Sequence, residues 1–229
     1  VMHSLTKYIG GHGTSIGGIV VDGGNFDWTK NRKRQPLLNE PDQSYGGAVW
    51  IDAVPQLTGA NIPFVIRLRV VLLRDTGAPL APFNAWQIIQ GLETVGLRMK
   101  QHCSNAEKVV TFLETQKKVQ NVIYPTNHQG EIKERALKYM KGGYGSLVGM
   151  DVGTKENGAK FIDNLKMLYH VANIGDARSL AIHPATTTHS QLNDKELLAA
   201  GVTPGYVRLS IGIEHPDDII ADIKQALAA

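Results

Sequence analysis

The segment Ser4–Gly13 brings hydroxyls, an amine and glycines together within a few positions. Ser4 and Thr6 carry hydroxyls close to the amine of Lys7, and three glycines follow. Hydroxyls and exposed backbone N–H groups bind phosphate oxygens, and glycine lets the backbone approach closely. A lysine beside such a site can bind a phosphorylated aldehyde covalently through its amine. On spacing alone the segment also fits a glycine-rich turn with an exposed lysine, because short motifs often match by chance.

Two later segments carry polar side chains on short predicted strands. Gly175–Ala185 contains Ser179, and Gly205–Glu214 contains Arg208 between two apolar residues. A guanidinium presents a planar fork that meets a carboxylate through two hydrogen bonds. The alternation around Arg208 leaves the face of the strand open, so a surface arginine is the alternative on pattern alone.

The first segment resembles a known family. Ser-x-Thr-Lys-Tyr followed by Gly-His is similar to the cofactor-lysine motif of the Cys/Met-metabolism family of pyridoxal-phosphate enzymes. The resemblance implies that Lys7 holds pyridoxal 5′-phosphate covalently and acts in catalysis. It also implies that the hydroxyls of Ser4 and Thr6 contact the cofactor phosphate.

The two later segments extend the resemblance through essentially the whole chain. Gly175–Ala185 is similar to the family's substrate-binding segment, and Gly205–Glu214 is similar to its C-terminal strand. The resemblance implies that Arg208, with Ser179 beside it, binds the substrate α-carboxylate. It also implies the α/β fold of the aspartate aminotransferase-like, fold type I transferases.

Further segments resemble the O-acetylhomoserine sulfhydrylase branch of the family. They are Glu40–Gly47, Leu73–Gly77, Pro82–Ala85 and Thr186–Leu192. One departure is Gly46-Gly47, where a histidine followed by glycine is expected. The branch implies γ-replacement on O-acetyl-L-homoserine by sulfide or a thiol, giving homocysteine or methionine and acetate. The alternatives are a methionine γ-lyase, a cystathionine γ-synthase or lyase, or a non-catalytic fragment that serves as an assembly module.

Composition is ordinary for a soluble globular protein. The chain has 229 residues, is 42% hydrophobic and carries a net charge of +3. No apolar run approaches the roughly 18 residues of a membrane span, so no membrane partner is expected. The basic run Lys30–Arg34 lacks interleaved aromatic residues, which predicts a solvated loop and no nucleic-acid partner.

The one cysteine, Cys103, favours a reducing cytoplasm and a buried structural thiol. The histidines show no metal-ligand spacing, so no metal is expected.

The order of predicted elements indicates an α/β class, since strands and helices alternate after residue 117. The predicted strands are residues 15–21, 121–124, 146–152, 180–183 and 207–213, with a long loop over 25–47. The predicted helices are residues 83–117, bent or broken near Gly91 and Gly96, then 131–140, 155–168, 194–200 and 216–228. We place residues 1–104 in the end of a large cofactor-binding domain and residues 105–229 in a C-terminal small domain.

The chain is expected to be part of a longer product. It begins with Val1 rather than Met and shows no signal peptide. In the resembled family, the acidic partner of the cofactor ring and the ring that stacks on it lie upstream of the cofactor lysine. The family also implies a homotetramer with sites shared between subunits. We therefore expect this chain alone to be inactive.

Overall fold

The computed structural model describes residues 1–229, which divide into two compact units. The first contains Val1–Leu5 and Ile16–Trp86, and the second contains Thr6–Ser15 and Gln87–Ala229. The segment that carries Lys7 therefore belongs to the second unit. The domain boundary near residue 105 concerns the whole enzyme, and it stays a prediction.

The first unit combines a two-stranded ribbon with short helices. Strand β1 (Met2–Ser4) pairs antiparallel with β2 (Gly18–Val20). The helices are α1 (Pro36–Asn39), α2 (Trp50–Thr58), α3 (Pro63–Arg67) and α4 (Arg74–Thr76), with π-helical Leu68–Leu73 joining the last two and 3₁₀ turns at Arg32–Arg34 and Gln43–Tyr45. A small core consists of Leu38, Trp50, Ile51 and Val54.

Two predictions for the first unit are wrong. The strand predicted over residues 15–21 forms only as β2, and it is largely exposed rather than buried, because a ribbon of two short strands cannot bury its apolar residues by itself. The loop predicted over residues 25–47 contains three helical turns.

No single helix is long and apolar enough to cross a membrane, although the bent pair Trp50–Thr58 and Pro63–Thr76 has the necessary length and composition.

The second unit is built on a five-stranded mixed sheet. Its strands are β3 (Asn121–Ile123), β4 (Leu147–Asp151), β5 (Tyr169–His170), β6 (Leu180–Ile182) and β7 (Tyr206–Ser210). Their order is β3-β4-β7-β6-β5, and only β5 and β6 run parallel. The helices are α5 (Pro82–Glu93), α6 (Val95–Glu114), α7 (Gly130–Tyr139), α8 (Lys155–Asp163), α9 (Asp194–Ala199) and α10 (Pro216–Ala228), with 3₁₀ turns at Pro125–Asn127 and Pro184–Thr186. The residues of α5 up to Trp86 belong to the first unit, and those from Gln87 belong to the second.

One face of this sheet carries the main core. Val207 and Leu209 on β7 are fully buried in a cluster that includes residues of α6, α8 and α10. Successive side chains of a strand point to opposite faces, so Arg208 lies on the face away from this core, where it is partly exposed. This settles the face that the alternation left open.

Most elements predicted after residue 82 are confirmed. The predicted break in the long helix is real, because α5 ends at Glu93 and α6 begins at Val95. Helix α10 has the predicted bounds. Helix α8 ends five residues early because the carboxylate of Asp222 binds the backbone N–H groups of residues 166–168, which pulls that segment out of helical geometry.

Candidate active site

Lys7 and Arg208 meet at one residue, Asn173. The Lys7 Nζ donates a hydrogen bond to the Asn173 side-chain oxygen. An Nη2 of Arg208 donates to the Asn173 backbone carbonyl at 3.3 Å. Neither cation pairs with a carboxylate. Two cations without an anionic partner therefore lie on either side of one asparagine, although they are far apart in sequence.

The backbone after Lys7 is held in a tight turn. The Gly11 N–H donates to the Lys7 carbonyl at 2.7 Å, and the Gly11 carbonyl accepts from the Ala177 N–H at 2.8 Å. Gly175 lies so close that a Cβ there would come within 2.7 Å of the Tyr8 nitrogen, and its φ of +72° favours glycine. The first and second sequence segments therefore pack directly on each other.

Tyr8 anchors the same turn from its side chain. Its hydroxyl lies 2.9 Å from the Ser146 Oγ, and its ring meets His102 edge-on at a centroid distance of 5.5 Å. Burial raises the pKa of the Tyr8 phenol, which the hydrogen bond to Ser146 only partly offsets. Tyr8 thus keeps its proton and fixes the position of the residue after Lys7.

Helix α6 carries a stripe of buried polar residues that bind backbone carbonyls near the site. We call Arg98, His102 and Asn105 the α6 polar stripe. Arg98 donates to the Tyr8 and Ile9 carbonyls, beside Lys7. His102 and Asn105 bind the segment that follows β7: the His102 Nδ1 lies 2.6 Å from the carbonyl of residue 211, and Asn105 donates to those of residues 212 and 214. Spacings of four and three residues place all three on one helix face, so one helix holds both site segments.

His102 is neutral in this setting. Its Nδ1 donates to a carbonyl, and its Nε2 is buried without a partner, so a proton on Nε2 would have no acceptor. Burial lowers the pKa of His102, and the nearby positive charge of Arg98 acts in the same direction. Protonation would place a second cation beside Arg98 in the protein interior.

Ser179 is held by hydrogen bonds within the chain, and its substrate-binding role stays a prediction. It is fully buried, and its hydroxyl donates to Glu214 at 2.9 Å and accepts from the Gly212 N–H at 2.8 Å. Its backbone N–H donates to Glu214 at 2.6 Å, and its carbonyl accepts from the Tyr169 N–H. Every polar group of Ser179 is engaged within the chain. Arg208 donates its hydrogen bond to the Asn173 backbone carbonyl.

The two predicted phosphate-binding hydroxyls fall in different units. Thr6 is partly buried in the second unit and lines a shallow hollow together with Gly10, His12 and Gly13. Ser4 is exposed on β1 of the first unit. The phosphate contacts of Ser4 and Thr6 stay predictions.

Comparison with known proteins identifies the class of protein that this fold and site define. The family model described as "Cys/Met metabolism PLP-dependent enzyme" matches residues 1–228. The chain therefore belongs to the Cys/Met metabolism family of pyridoxal-phosphate-dependent enzymes, as its motifs predicted.

Individual relatives narrow the comparison. The chain is 49% identical to an O-acetyl-L-homoserine sulfhydrylase of Leptospira meyeri, an alignment that covers 99% of this chain and 52% of that protein. It is 45% identical to a homocysteine synthase of Schizosaccharomyces pombe, over 99% of this chain and 52% of that protein. The chain thus spans about half the length of the curated relatives it matches.

A solved structure confirms the fold class. A Campylobacter jejuni protein described as an O-acetylhomoserine (thiol)-lyase matches 100% of this chain and 53% of its own, with a TM-score of 0.86 and 41% identity. That crystal structure contains a pyridoxyl-lysine monophosphate residue. The predicted α/β class, an aspartate aminotransferase-like transferase of fold type I, is confirmed.

The residues present fit pyridoxal phosphate with an amino-acid substrate. Lys7 is partly buried and its amine is engaged only with an amide oxygen, so an aldehyde carbon can replace that contact. A guanidinium has five N–H donors, and Arg208 uses one of them within the chain. The nearby acids are engaged elsewhere: Asp176 pairs with Arg178 and Glu214 binds Ser179. The cationic donors of this site are therefore available for a ligand carrying an aldehyde and a carboxylate.

Sequence reasoning missed Asn173 and the α6 polar stripe. Asn173 stands two residues before Gly175, outside the segment that the family resemblance marked. The stripe had a visible signal, since an arginine, a histidine and an asparagine lie at helical spacing among apolar residues. Polar residues on the apolar face of a helix are buried only when they are hydrogen-bonded, so such a stripe predicts contacts with backbone carbonyls.

Proposed function

We propose that this chain supplies the cofactor lysine and the carboxylate-binding arginine of an O-acetyl-L-homoserine sulfhydrylase. The reaction is replacement of the acetate of O-acetyl-L-homoserine by sulfide, giving homocysteine and acetate, with a thiol as the alternative donor. The observation that carries the proposal is the convergence of Lys7 and Arg208 on Asn173 without any acidic partner. The names of the relatives support the substrate, and none of those compared favours a γ-lyase.

Arg208 binds the substrate. Its planar guanidinium is fixed at one corner by the Asn173 carbonyl, which leaves the opposite edge for two parallel hydrogen bonds to the α-carboxylate. Asp151 on β4 shares this face of the sheet, but its carboxylate accepts from the Gly153 N–H and the Thr203 hydroxyl and does not pair with Arg208. Binding the carboxylate orients the Cα–H bond relative to Lys7.

Lys7 moves protons. The Asn173 oxygen holds its Nζ near the substrate, and the turn closed by Gly11 prevents the backbone from retreating. The amine takes the Cα proton, gives it up and then takes a proton from Cβ; acetate leaves the γ-carbon, sulfide forms the new C–S bond there, and protons are returned to Cβ and Cα. Pyridoxal phosphate, when bound, supplies the aldehyde carbon and a ring that delocalises the electron pair released at Cα.

Covalent labelling tests the lysine assignment. The protein is incubated with pyridoxal phosphate, reduced with borohydride, digested and mapped by mass spectrometry. The expected result is a pyridoxyl group on Lys7 of the wild type and none on that peptide in Lys7→Arg, with Lys30→Arg, a change of an exposed loop lysine, as the matched control. Labelling of surface lysines with none at Lys7 would refute the assignment.

A second variant tests the arginine. Arg208→Lys keeps the charge but loses the planar fork, so amino-acid binding should weaken at least tenfold while cofactor attachment at Lys7 persists. Equal loss of both would make Arg208 a structural residue.

A cytoplasmic homotetramer with shared sites is part of the proposal. The buried free thiol of Cys103 supports a reducing compartment. The family resemblance supports the tetramer. Light scattering of the complete gene product tests it, and a monomeric mass with full activity would refute it.

A further inference from the structure

Arg98 is a buried cation with no anionic partner. Only 6% of its surface is exposed, and no carboxylate lies within ion-pair distance. Burial lowers the pKa of its guanidinium. An uncompensated buried charge costs stability, and an apolar residue of similar size would fill the space at lower cost. Stability alone therefore does not explain an arginine at this buried position.

The hydrogen bonds of Arg98 supply that reason. Its Nη1 donates to the Tyr8 carbonyl at 2.8 Å, and its Nη2 donates to the Ile9 carbonyl at 3.2 Å and to the Gly91 carbonyl at 2.6 Å. Its Nε donates to the Thr94 hydroxyl at 3.2 Å, which fixes the plane of the guanidinium. The positive charge is stabilised by three carbonyl dipoles, and two of these belong to the residues directly after Lys7.

Two glycines make room for this contact. A Cβ on Gly11 would come within 2.0 Å of the Arg98 Nη1, and the φ of Gly11 is +71°. A Cβ on Gly91 would come within 2.1 Å of the Gly10 carbonyl oxygen. The turn after Lys7 therefore lies directly on the guanidinium and on the last turns of α5. A larger residue at either glycine would push this turn away from the Arg98 guanidinium and from α5.

We propose that Arg98 is a positioning residue for Lys7, which it serves by clamping the backbone of residues 8 and 9 to the junction of α5 and α6. The inference rests on the proposed function in one respect only, the catalytic use of Lys7. The clamp contributes no atom to the reaction. It fixes the position of the Lys7 Cα, and this position decides whether the Lys7 amine reaches Asn173 and the ligand.

Amide hydrogen exchange without cofactor tests the clamp. The Gly11 N–H, which is bonded to the Lys7 carbonyl, reports the turn, and the Met150 N–H, in the interior strand β4, reports global opening. In Arg98→Met, the Gly11 exchange rate should rise at least tenfold relative to that of Met150. The matched control is Leu197→Ala, which opens a cavity in a separate cluster; in that variant the Gly11 rate should not rise relative to that of Met150.

Rescue and labelling complete the test. Arg98→Lys offers an ammonium that cannot reach three carbonyls in one plane, so it should restore only part of the Gly11 protection. Labelling of Lys7 by pyridoxal phosphate and borohydride should fall at least fivefold in Arg98→Met and remain at the wild-type level in Leu197→Ala.

Each result has one meaning. The inference is overturned if the ratio of the Gly11 rate to the Met150 rate is unchanged in Arg98→Met. It is also overturned if that ratio rises while Lys7 is labelled as well as in the wild type. A changed ratio in a protein whose wild type is never labelled at Lys7 supports the clamp and instead contradicts the proposed function.

Discussion

Asn105 offers the sharpest test of the α6 polar stripe as a source of stability. Its Nδ2 donates to the Gly212 carbonyl at 3.0 Å in a fully buried contact and to the Glu214 carbonyl at 2.8 Å in a partly buried one. Asn105→Ala removes both donors and leaves both carbonyls in place. A buried unpaired carbonyl costs about 1–3 kcal/mol, and one that water can reach costs less. We therefore expect the free energy of unfolding to fall by roughly 2–4 kcal/mol.

The matched control is Gln101→Ala. The Gln101 side chain is exposed and donates only to the Asn105 Oδ1 at 2.8 Å in a partly buried contact, where water can replace it, so its removal should change stability by less than about 1 kcal/mol. Asn105→Asp is a second comparison. It keeps the size of the side chain but points a carboxylate at two carbonyl oxygens, so it should destabilise more than Asn105→Ala at neutral pH.

The chain itself provides separate probes for its two units. The three tryptophans, Trp28, Trp50 and Trp86, all belong to the first unit, and the single cysteine, Cys103, is buried in the second. The reactivity of the Cys103 thiol in increasing urea therefore reports the opening of α6. With a slope of about 1–3 kcal/mol per M, the midpoint of labelling should fall by roughly 1–2 M in Asn105→Ala. Equal midpoints for Asn105→Ala and Gln101→Ala would refute the reasoning.

Three other features give predictions that urea unfolding followed by circular dichroism can check. Asp222→Asn should lose roughly 2 kcal/mol at pH 7. Burial would raise the pKa of Asp222, but its backbone N–H donors outweigh burial and lower it; this stability is present above about pH 4 and is lost in acid, where wild type and variant should converge. Gly91→Ala should destabilise by about 1–3 kcal/mol through its clash with the Gly10 carbonyl, whereas Gly96→Ala, which meets nothing within 4 Å, should be neutral or stabilising by up to about 1 kcal/mol. Burial lowers the pKa of His183, so its contribution is complete above about pH 6.5 and is lost as the pH falls; His183→Gln should flatten the stability profile between pH 6.5 and 5, and an unchanged profile would contradict this.

Much of the second unit could be predicted from the sequence because its local signals agree. Helix α10 begins at Pro216 after a histidine cap, and its apolar residues recur at helical spacing. Strand β7 alternates between core and open face, as its sequence does. In the first unit the signals conflict. Helix α2 contains Pro55, and the segment after α3 is π-helical, which no residue pattern indicates.

The candidate site was only partly predictable for a related reason. Residue type and spacing left the roles of Lys7 and Arg208 open, and the family resemblance supplied them. For Ser179 residue type says even less, because a hydroxyl serves equally well as a ligand contact or as an internal hydrogen-bond partner, such as the one it forms with Glu214. Asn173 has the same ambiguity. Only the register of β6 against β7 and the loop before it place an amide between the two cations.

The α6 polar stripe makes insertions and deletions within this helix unfavourable. Arg98 and Asn105 are seven residues apart on one helix, and they hold the segments of Lys7 and of Arg208 respectively. An inserted or deleted residue between them would turn one contact about 100° around the helix and shift it by about 1.5 Å. Either event would separate the two cations from their shared asparagine. Insertions and deletions among homologues should therefore fall in the loops and leave the spacing of 98 to 105 invariant.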